Sequence, residues 1–207
     1  MRQILKLFIA LSVMSCGTQN RVTYSWANKS FHAPSPYKKV FVAALIANPH
    51  VRTHLEEEMG LAAKKQGFGV ERSWDYFPPT FENKNPPSRE KMLEKIRSLN
   101  CDLIFTIHLT DKRSETRYIP SGMGYYGPYP GYGLYFRGFY SYWYPFFYDP
   151  GYYVTDRYYF LEGNLFDTQT ETLIWSVQTT TINPSSIENF SKSLIETLLQ
   201  KALEDLK

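Results

Sequence analysis

The apolar and polar residues between positions 39 and 67 predict a strand followed by a helix. Residues 39–46 form a short, valine-rich apolar run between prolines, which is typical of a buried strand. Asn48 and Pro49 then predict a helix start, because asparagine caps helices and proline is tolerated at the first helical position. Gly67 is expected to end this helix. Its inner face is predicted from the apolar residues that recur at helical spacing, Val51, Leu55, Met59 and Ala62.

The next segment repeats this order of elements. A second strand is predicted from Gly69 to Trp74, and Ser88 is expected to cap a second helix after a proline-rich loop. A third strand is predicted from Asp102 to Thr110, where apolar and polar residues alternate. Helices are therefore expected to cover one face of the sheet, and the other face is expected to be at least partly polar. The apolar positions are Leu103, Phe105, Ile107 and Leu109, and the polar ones are Thr106, His108 and Thr110.

The C-terminal part of the chain predicts a hairpin and a last helix. The two strands are expected at Val154–Asp167 and Leu173–Ile182, with a turn between them. The helix is expected to start at one of two caps, Asn183 with Pro184 or Ser185 with Glu188. The order β-α-β-α-β-insert-β-β-α predicts an α/β (α+β) fold in which a single mixed sheet is backed by helices.

The first residues have the pattern of an export signal. Arg2 and Lys6 precede a short apolar run, which is well below the ~20 residues that a membrane-spanning helix needs. The run ends Val-Met-Ser-Cys at Cys16, which resembles the lipobox of bacterial lipoproteins. That resemblance implies a signal peptide over residues 1–15 and acylation of Cys16 by fatty acyl chains such as palmitate. An ordinary secretory peptide that merely contains a cysteine is the alternative.

An acylated Cys16 makes the lipid bilayer a partner of the mature chain. Residues 16–36 are then expected to form a polar, lipidated tether, and residues 37–207 a single α/β domain with an insert over 118–153. No aspartate follows the cysteine, which by resemblance to sorting rules in enteric bacteria favours the outer membrane and its periplasmic side. Loss of the leader lowers the net charge from +3 to +1, so no basic field for nucleic acid is expected.

The insert concentrates the aromatic residues of the chain. Fourteen of the 17 tyrosines lie between Tyr118 and Tyr159, and from residue 119 to 148 the only charged side chain is Arg137. Each ring can bury roughly 150–250 Å², so several exposed rings exceed the apolar patch that a monomer usually tolerates. The insert is expected to fold onto the open sheet face, to remain a low-complexity loop, or to bind a partner. The candidate partner-binding residues are Tyr132, Tyr135, Phe136, Arg137, Tyr140, Trp143 and Tyr144.

Candidate catalytic and metal-binding residues are few. His50 and His54 lie four apart on the first predicted helix, a spacing that can hold one metal ion, but a third ligand is not evident. Cys101 and His108 are separated by roughly 23 Å of strand, which favours a buried thiol over a nucleophile. The glutamates at 56–58 are expected to be solvated. The sequence therefore predicts a protein that is not an enzyme and that holds no metal or small-molecule cofactor.

Three local patterns resemble those of small periplasmic lipoprotein domains. They are Arg52 with Glu56, Gly67–Ser73, and Leu165-Phe166-Asp167 with Leu173-Ile174-Trp175. With the element order, they are similar to the amino-terminal domain of the translocation protein TolB, the curli secretion lipoprotein CsgG and the penicillin-binding-protein activator LpoB. The hairpin after a glycine- and tyrosine-rich insert also resembles an uncharacterised lipoprotein family, domain of unknown function forty-one thirty-six. The resemblance implies a fold and a compartment, and it assigns no functional residue.

These observations lead to one main hypothesis about function and two alternatives. The chain is expected to be a non-enzymatic, membrane-anchored lipoprotein of the bacterial cell envelope that acts as a scaffold or binding protein for other envelope proteins. The first alternative is a glycan-binding or peptidoglycan-binding module that stacks the rings of the insert on sugars. The second is a structural envelope component with no discrete ligand.

Overall fold

The computed structural model describes residues 19–33, 36–78, 87–119 and 152–207. Within these residues the fold is mixed α+β, with one open sheet of six strands packed with helices. The strands are β1 (Gln19–Ala27), β2 (Lys39–Leu45), β3 (Gly69–Arg72), β4 (Leu103–Ile119), β5 (Tyr152–Asp167) and β6 (Leu173–Ile182). The helices are α1 (Pro49–Lys65), α2 (Ser73–Tyr76), α3 (Arg89–Ser98) and α4 (Ile187–Asp205). The prediction of a single mixed sheet with helices is confirmed.

The sheet has a parallel half and an antiparallel half, in the strand order β1-β6-β5-β4-β2-β3. β2 is parallel to both of its neighbours, β3 and β4. Parallel neighbours need crossover connections, and α1, α2 and α3 lie in those connections. β6 is antiparallel to both β1 and β5.

Two compact units are distinguished along the chain. The first comprises residues 1–112 and 158–207, and the second comprises Arg113–Arg157. β4 continues to Ile119, whereas the sequence predicted its end at Thr110. The described part of the second unit therefore consists of residues 113–119 of β4 and 152–157 of β5. Among the described residues, no helix combines the length and the apolar character that crossing a membrane requires.

The ends of α1 and α3 are formed by the residues that the sequence predicts. At the start of α1, the side chain of Asn48 accepts a hydrogen bond from the backbone N–H of His50 at 3.0 Å. After α1, Gly67 has a φ of 88°, a left-handed conformation that glycine adopts without strain. The hydroxyl of Ser88 accepts from the backbone N–H of Lys91 at 3.3 Å and starts α3.

The start of α4 differs from both predicted caps. Ser186 is the cap, and its hydroxyl accepts a hydrogen bond from the backbone N–H of Asn189 at 3.2 Å. Asn183 has a φ of 46°, which puts it in the left-handed region and outside the helix. Both predicted pairs are therefore wrong, Asn183 with Pro184 and Ser185 with Glu188.

The prediction of a tether over residues 16–36 is wrong for Gln19–Ala27, which form β1. This strand pairs with β6 from Gln19, opposite Ile182, to Ala27, opposite Trp175. The ladder satisfies backbone groups that a tether would leave to water. Ala27 also packs against the cluster of buried apolar residues around Trp175.

Two apolar clusters lie on opposite faces of the sheet. The larger cluster packs under α1 and α4 around Trp175, which is 1% exposed, and includes Leu55 and Leu194. The smaller cluster packs under α3 and includes Phe41 and Ile96. Helices thus cover parts of both faces, whereas the sequence predicted them on one.

Candidate functional site

The residues that the sequence singles out for lipidation and partner binding lie outside the described residues. They are Cys16 and the insert residues Tyr132, Tyr135, Phe136, Arg137, Tyr140, Trp143 and Tyr144. Their roles stay predictions. The described residues of the predicted insert are its two ends, residues 118–119 of β4 and 152–153 of β5.

The ends of β4 and β5 in the second unit, residues 113–119 and 152–157, form a two-stranded ribbon. The rings of Tyr118 and Tyr153 pack across it, with centroids 5.2 Å apart and planes inclined by 55°. Tilted ring pairs at this distance attract each other through the positive edge of one ring and the negative face of the other. The ribbon is therefore held together by side chains as well as by its backbone.

The ribbon exposes three tyrosines beside an ion pair. Tyr118 is 52% exposed, Tyr152 59% and Tyr153 73%. The Arg117 Nε atom lies 3.1 Å from an oxygen of Asp156. Tyrosine and arginine are both enriched at contacts between proteins. The ribbon thus has the composition of a contact surface.

A second exposed surface, the open face, lies on the sheet of the first unit, on the side opposite Trp175. The ladder puts Tyr24 opposite Gln178 and Trp26 opposite Ser176, and facing residues of an antiparallel pair point to the same side. The rings of Tyr24 and Trp26 are 56% and 41% exposed. The open face consists of the side chains of Tyr24, Trp26, His108, Glu162, Asn164, Ser176 and Gln178.

Glu162 organises the polar part of the open face. One carboxylate oxygen accepts a hydrogen bond from Asn164 Nδ2 at 2.9 Å, and the other accepts one from Gln178 Nε2 at 3.0 Å. The hydrogen bond from Asn164, with that from Gln178 and the nearby His108, holds the pKa of Glu162 below its ordinary value against the effect of burial. An ionised, fixed carboxylate therefore lies on the same face as two exposed rings.

The sequence reasoning missed the open face because it placed residues 16–36 in a tether. Over residues 22–26, however, large apolar or aromatic side chains alternate with hydroxyl side chains, which is the period of a strand. That alternation is the signal that could have found β1 and, with it, the two rings.

The candidate metal ligands are not brought together. Among the described residues, no group of three or more histidine, cysteine, aspartate or glutamate side chains is placed to hold a metal ion. His50 is exposed at the start of α1, and His54 Nε2 lies 3.7 Å from an oxygen of Glu188. These positions suit the solvated helix start that the sequence favours over a metal site.

Cys101 is a buried thiol. It is 5% exposed and forms no disulfide. Burial raises its pKa to about 11, although the nearby Lys39 acts in the opposite direction. Because only the thiolate is a nucleophile, the side chain is unreactive at neutral pH. The prediction of a plain buried thiol is confirmed.

Glu56 lies in a buried polar cluster and is 1% exposed, so the expected solvated run at 56–58 is wrong at this position. Its carboxylate accepts four hydrogen bonds, which replace the water that burial removes. The donors are Arg52 Nε at 3.0 Å, Ser73 Oγ at 2.5 Å, and the backbone N–H groups of Ala44 at 3.1 Å and Trp74 at 2.7 Å.

Arg52 connects the same cluster to α2. Its Nη2 atom donates to Ser73 Oγ at 2.9 Å and to the carbonyl of Phe77 at 3.1 Å. Its guanidinium also lies 5.3 Å from the centroid of the Trp74 ring. These contacts hold α2 against α1, which is why β3 ends at Arg72 and not at Trp74. The side chains bond to one another and to the backbone, as expected of a structural cluster.

Comparisons with known proteins give weak structural similarities. No family model matches the chain, and no curated protein matches it. A PelC dodecamer from Paraburkholderia phytofirmans gives a TM-score of 0.47 at 16% identity, covering 87% of this chain and 95% of that one. The lipoprotein GNA1162 from Neisseria meningitidis gives 0.44 at 8% identity, covering 81% of this chain and 99% of that one. Similarities this low carry no argument about function, and the family resemblance of the sequence stays a prediction.

Proposed function

We propose that this chain is a lipid-anchored protein of the bacterial cell envelope that binds other envelope proteins and catalyses no reaction. The observation that carries the proposal is the ribbon, which exposes Tyr118, Tyr152 and Tyr153. Tyrosine offers a large contact area with few rotatable bonds, so little entropy is lost when it is buried in an interface. The proposed contact surface comprises the ribbon and the insert residues 120–151, which lie between its two strands in sequence.

The anchor in this proposal is Cys16. The lipobox-like residues before it are those of an acylation site, and two or three acyl chains hold a protein on a bilayer far more firmly than one. Cys16→Ala is expected to move the protein from the membrane fraction to the soluble fraction after cell lysis. A variant that stays in the membrane fraction contradicts the lipid anchor.

The ribbon is tested by cross-linking in cells followed by affinity purification. The variant Tyr118→Ala with Tyr153→Ala removes the packed pair of rings from the ribbon. Tyr24→Ala is the matched control, because Tyr24 is a similarly exposed tyrosine of the first unit. We expect a discrete partner with the unmodified chain and with the control, and its loss with the ribbon variant. Equal recovery of the partner with the unmodified chain, the control and the ribbon variant overturns the proposal.

The open face favours a second candidate function, the binding of a glycan such as peptidoglycan. Sugar rings can lay their C–H groups on aromatic rings, and their hydroxyl groups hydrogen-bond to carboxylates and amides. Tyr24 and Trp26 supply the rings, and Glu162, Asn164 and Gln178 supply the polar groups on the same side of the sheet. The open face is therefore a second candidate site for glycan binding, besides the insert.

Sedimentation with insoluble peptidoglycan separates the two functions. If the open face binds glycan, Trp26→Ala lowers the sedimented fraction and the ribbon variant leaves it unchanged. If the insert binds glycan instead, Trp26→Ala leaves the sedimented fraction unchanged. A protein that does not sediment with peptidoglycan at all contradicts the second function and leaves the first unaffected.

A further inference from the structure

A cavity of about 700 Å³ lies in the first unit between the sheet and the C-terminal halves of α1 and α4. Met59 and Ala63 line it from α1, and Leu198 and Ala202 line it from α4. Trp175 of β6 forms part of its inner wall. Ligand pockets in proteins have volumes of roughly 300–1,000 Å³, so this cavity has the size of a small-molecule site.

The inner wall of the cavity offers little to water. The indole N–H of Trp175 already donates to the Asp205 carboxylate at 3.0 Å, and the hydroxyl of Tyr37 donates to Asp167 at 3.1 Å. The Asp205 carboxylate is also paired with Lys201 Nζ at 2.8 Å. A buried water needs two to four polar partners, and these groups already have protein partners. An apolar occupant therefore gains more from the cavity than water does.

The rim of the cavity is basic. Its exposed lining residues include Lys29, Gln66 and Lys207. The ammonium group of Lys29 donates a hydrogen bond to the backbone carbonyl of Asp205, which fixes its position at the mouth. The carboxylate of Asp205, the acidic group of the lining, is neutralised by Lys201. The opening therefore suits a negatively charged group.

We propose that the cavity binds a fatty acid, with its single aliphatic chain along the apolar wall and its carboxylate at the Lys29 side of the mouth. An aliphatic chain can fill an apolar space between helices and a sheet without needing polar partners. The site is independent of the ribbon and of the open face, so its test does not depend on the function proposed above.

An acyl chain on Cys16 is a competing occupant, and the variant Cys16→Ala removes it. Cys16 precedes Gln19 by three residues, and Gln19 lies opposite Ile182 at one end of β1. The cavity is lined by Ala27, at the other end of that strand. Eight residues of strand separate the two ends by roughly 26 Å. Gln19 and Ala27 thus lie at opposite ends of β1, and Ala27 is the one that lines the cavity.

The proposal is tested by calorimetric titration of the full chain carrying Cys16→Ala with fatty acids of increasing length, below their micelle concentrations. Each methylene buried against the wall contributes about a fourfold increase in affinity. We expect this increase from octanoate upwards, followed by a plateau once the cavity is full. An affinity that does not rise with chain length overturns the proposal.

Variants that fill the cavity test its location. Ala63→Trp and Ala202→Phe enlarge two lining residues, and each is expected to weaken hexadecanoate binding by about tenfold or more. Ala47→Trp, in an exposed position outside the lining, is the control and should bind as the parent chain does. Thermal unfolding shows which variants fold, and two independent fillings keep the test valid if one does not. Unchanged binding by a folded filled variant overturns the site.

The head group is tested separately. Lys29→Met is expected to weaken hexadecanoate by roughly two- to fivefold and to leave hexadecanol unchanged, because only the carboxylate loses a charge partner. Lysophosphatidylglycerol tests whether the ligand is a phospholipid with one acyl chain or a free fatty acid. Weaker binding than that of hexadecanoate indicates the free acid. Hexadecyltrimethylammonium that binds as tightly as hexadecanoate contradicts the anionic head group. A dimer in sedimentation that Ala202→Phe dissociates contradicts the fatty acid and identifies a second copy as the occupant.

Discussion

Glu56 is the buried carboxylate that joins α1, β2 and α2. Glu56→Ala removes an acceptor from Arg52 and from Ser73, which remain at least partly buried. We expect the free energy of unfolding to fall by about 3–5 kcal/mol, because a buried charge loses its partner. Glu57→Ala, at the next and exposed position of the same helix, should change it by less than about 0.5 kcal/mol. Urea unfolding measures both, and equal losses contradict a stabilising role for the cluster.

Two carboxyl groups make the stability of the fold depend on pH. Burial raises the pKa of Asp167, but hydrogen bonds led by those from Thr170 outweigh it and leave the pKa below its ordinary value. Hydrogen bonds from Lys39 and Tyr76 likewise lower the pKa of Glu71. Both groups are therefore more acidic in the folded chain than in the unfolded one.

A carboxyl group with a lowered pKa stabilises the fold above its unfolded pKa of about 4, and this stabilisation is lost as the pH falls through the folded pKa. We expect the free energy of unfolding to decrease below about pH 4. Asp167→Asn should lower it by about 1–3 kcal/mol near neutral pH, and the difference from the parent chain should narrow near pH 3. Urea unfolding across this range measures the difference, and a constant difference contradicts the assignment.

Two glycines have opposite roles in their elements. In β5, a Cβ atom on Gly163 would lie 3.2 Å from Val177 and 3.6 Å from Leu198 of α4. In α1, a Cβ atom on Gly60 would meet Val70 at 3.5 Å, an ordinary contact. The strand therefore needs its glycine because a side chain at position 163 would press on Val177 of β6, whereas the helix does not need its glycine.

We expect Gly163→Ala to lower the free energy of unfolding by about 1–3 kcal/mol through overpacking. Gly60→Ala should raise it by about 0.5–1 kcal/mol, since alanine is the better helix former and restricts the unfolded chain. Thermal unfolding of the two variants measures the sign of each change in stability. A loss of stability in both, or a gain in both, contradicts the packing described for these elements.

The elements that sequence reasoning predicted are those whose signals are local. The side chains of Asn48 and Ser88 cap their helices by accepting hydrogen bonds from backbone N–H groups two or three positions further along the chain. Gly67 ends its helix through its own φ. The strand β1 has a local signal in the alternation over residues 22–26, but its place in the sheet could not be assigned, because its partner β6 is formed by distant residues. The burial of Glu56 depends on Ser73 and Trp74, which reach it only after the chain has folded back.

The candidate sites follow the same rule. Composition alone located the aromatic insert, and the ribbon contains its two ends, residues 118–119 and 152–153. The open face combines side chains of β1, β4, β5 and β6, and the cavity combines α1, α4 and the sheet. No window of the sequence contains either set, so only the folded chain brings them together.

At the scale of the whole molecule, three parts of one chain have different proposed tasks. We propose that acylation at Cys16 supplies attachment, that the ribbon with the insert supplies contact with a partner, and that the cavity supplies a place for an apolar ligand. The cavity and the start of β1 lie at opposite ends of that strand.

The central claim is that the ribbon contacts another envelope protein. It is tested most directly by placing a photo-crosslinking phenylalanine analogue at position 153 in living cells, with position 24 as the matched exposed position in the first unit. We predict a discrete cross-linked product with an envelope protein from position 153 and none from position 24. No protein cross-link from position 153, or the same product from both positions, contradicts the claim.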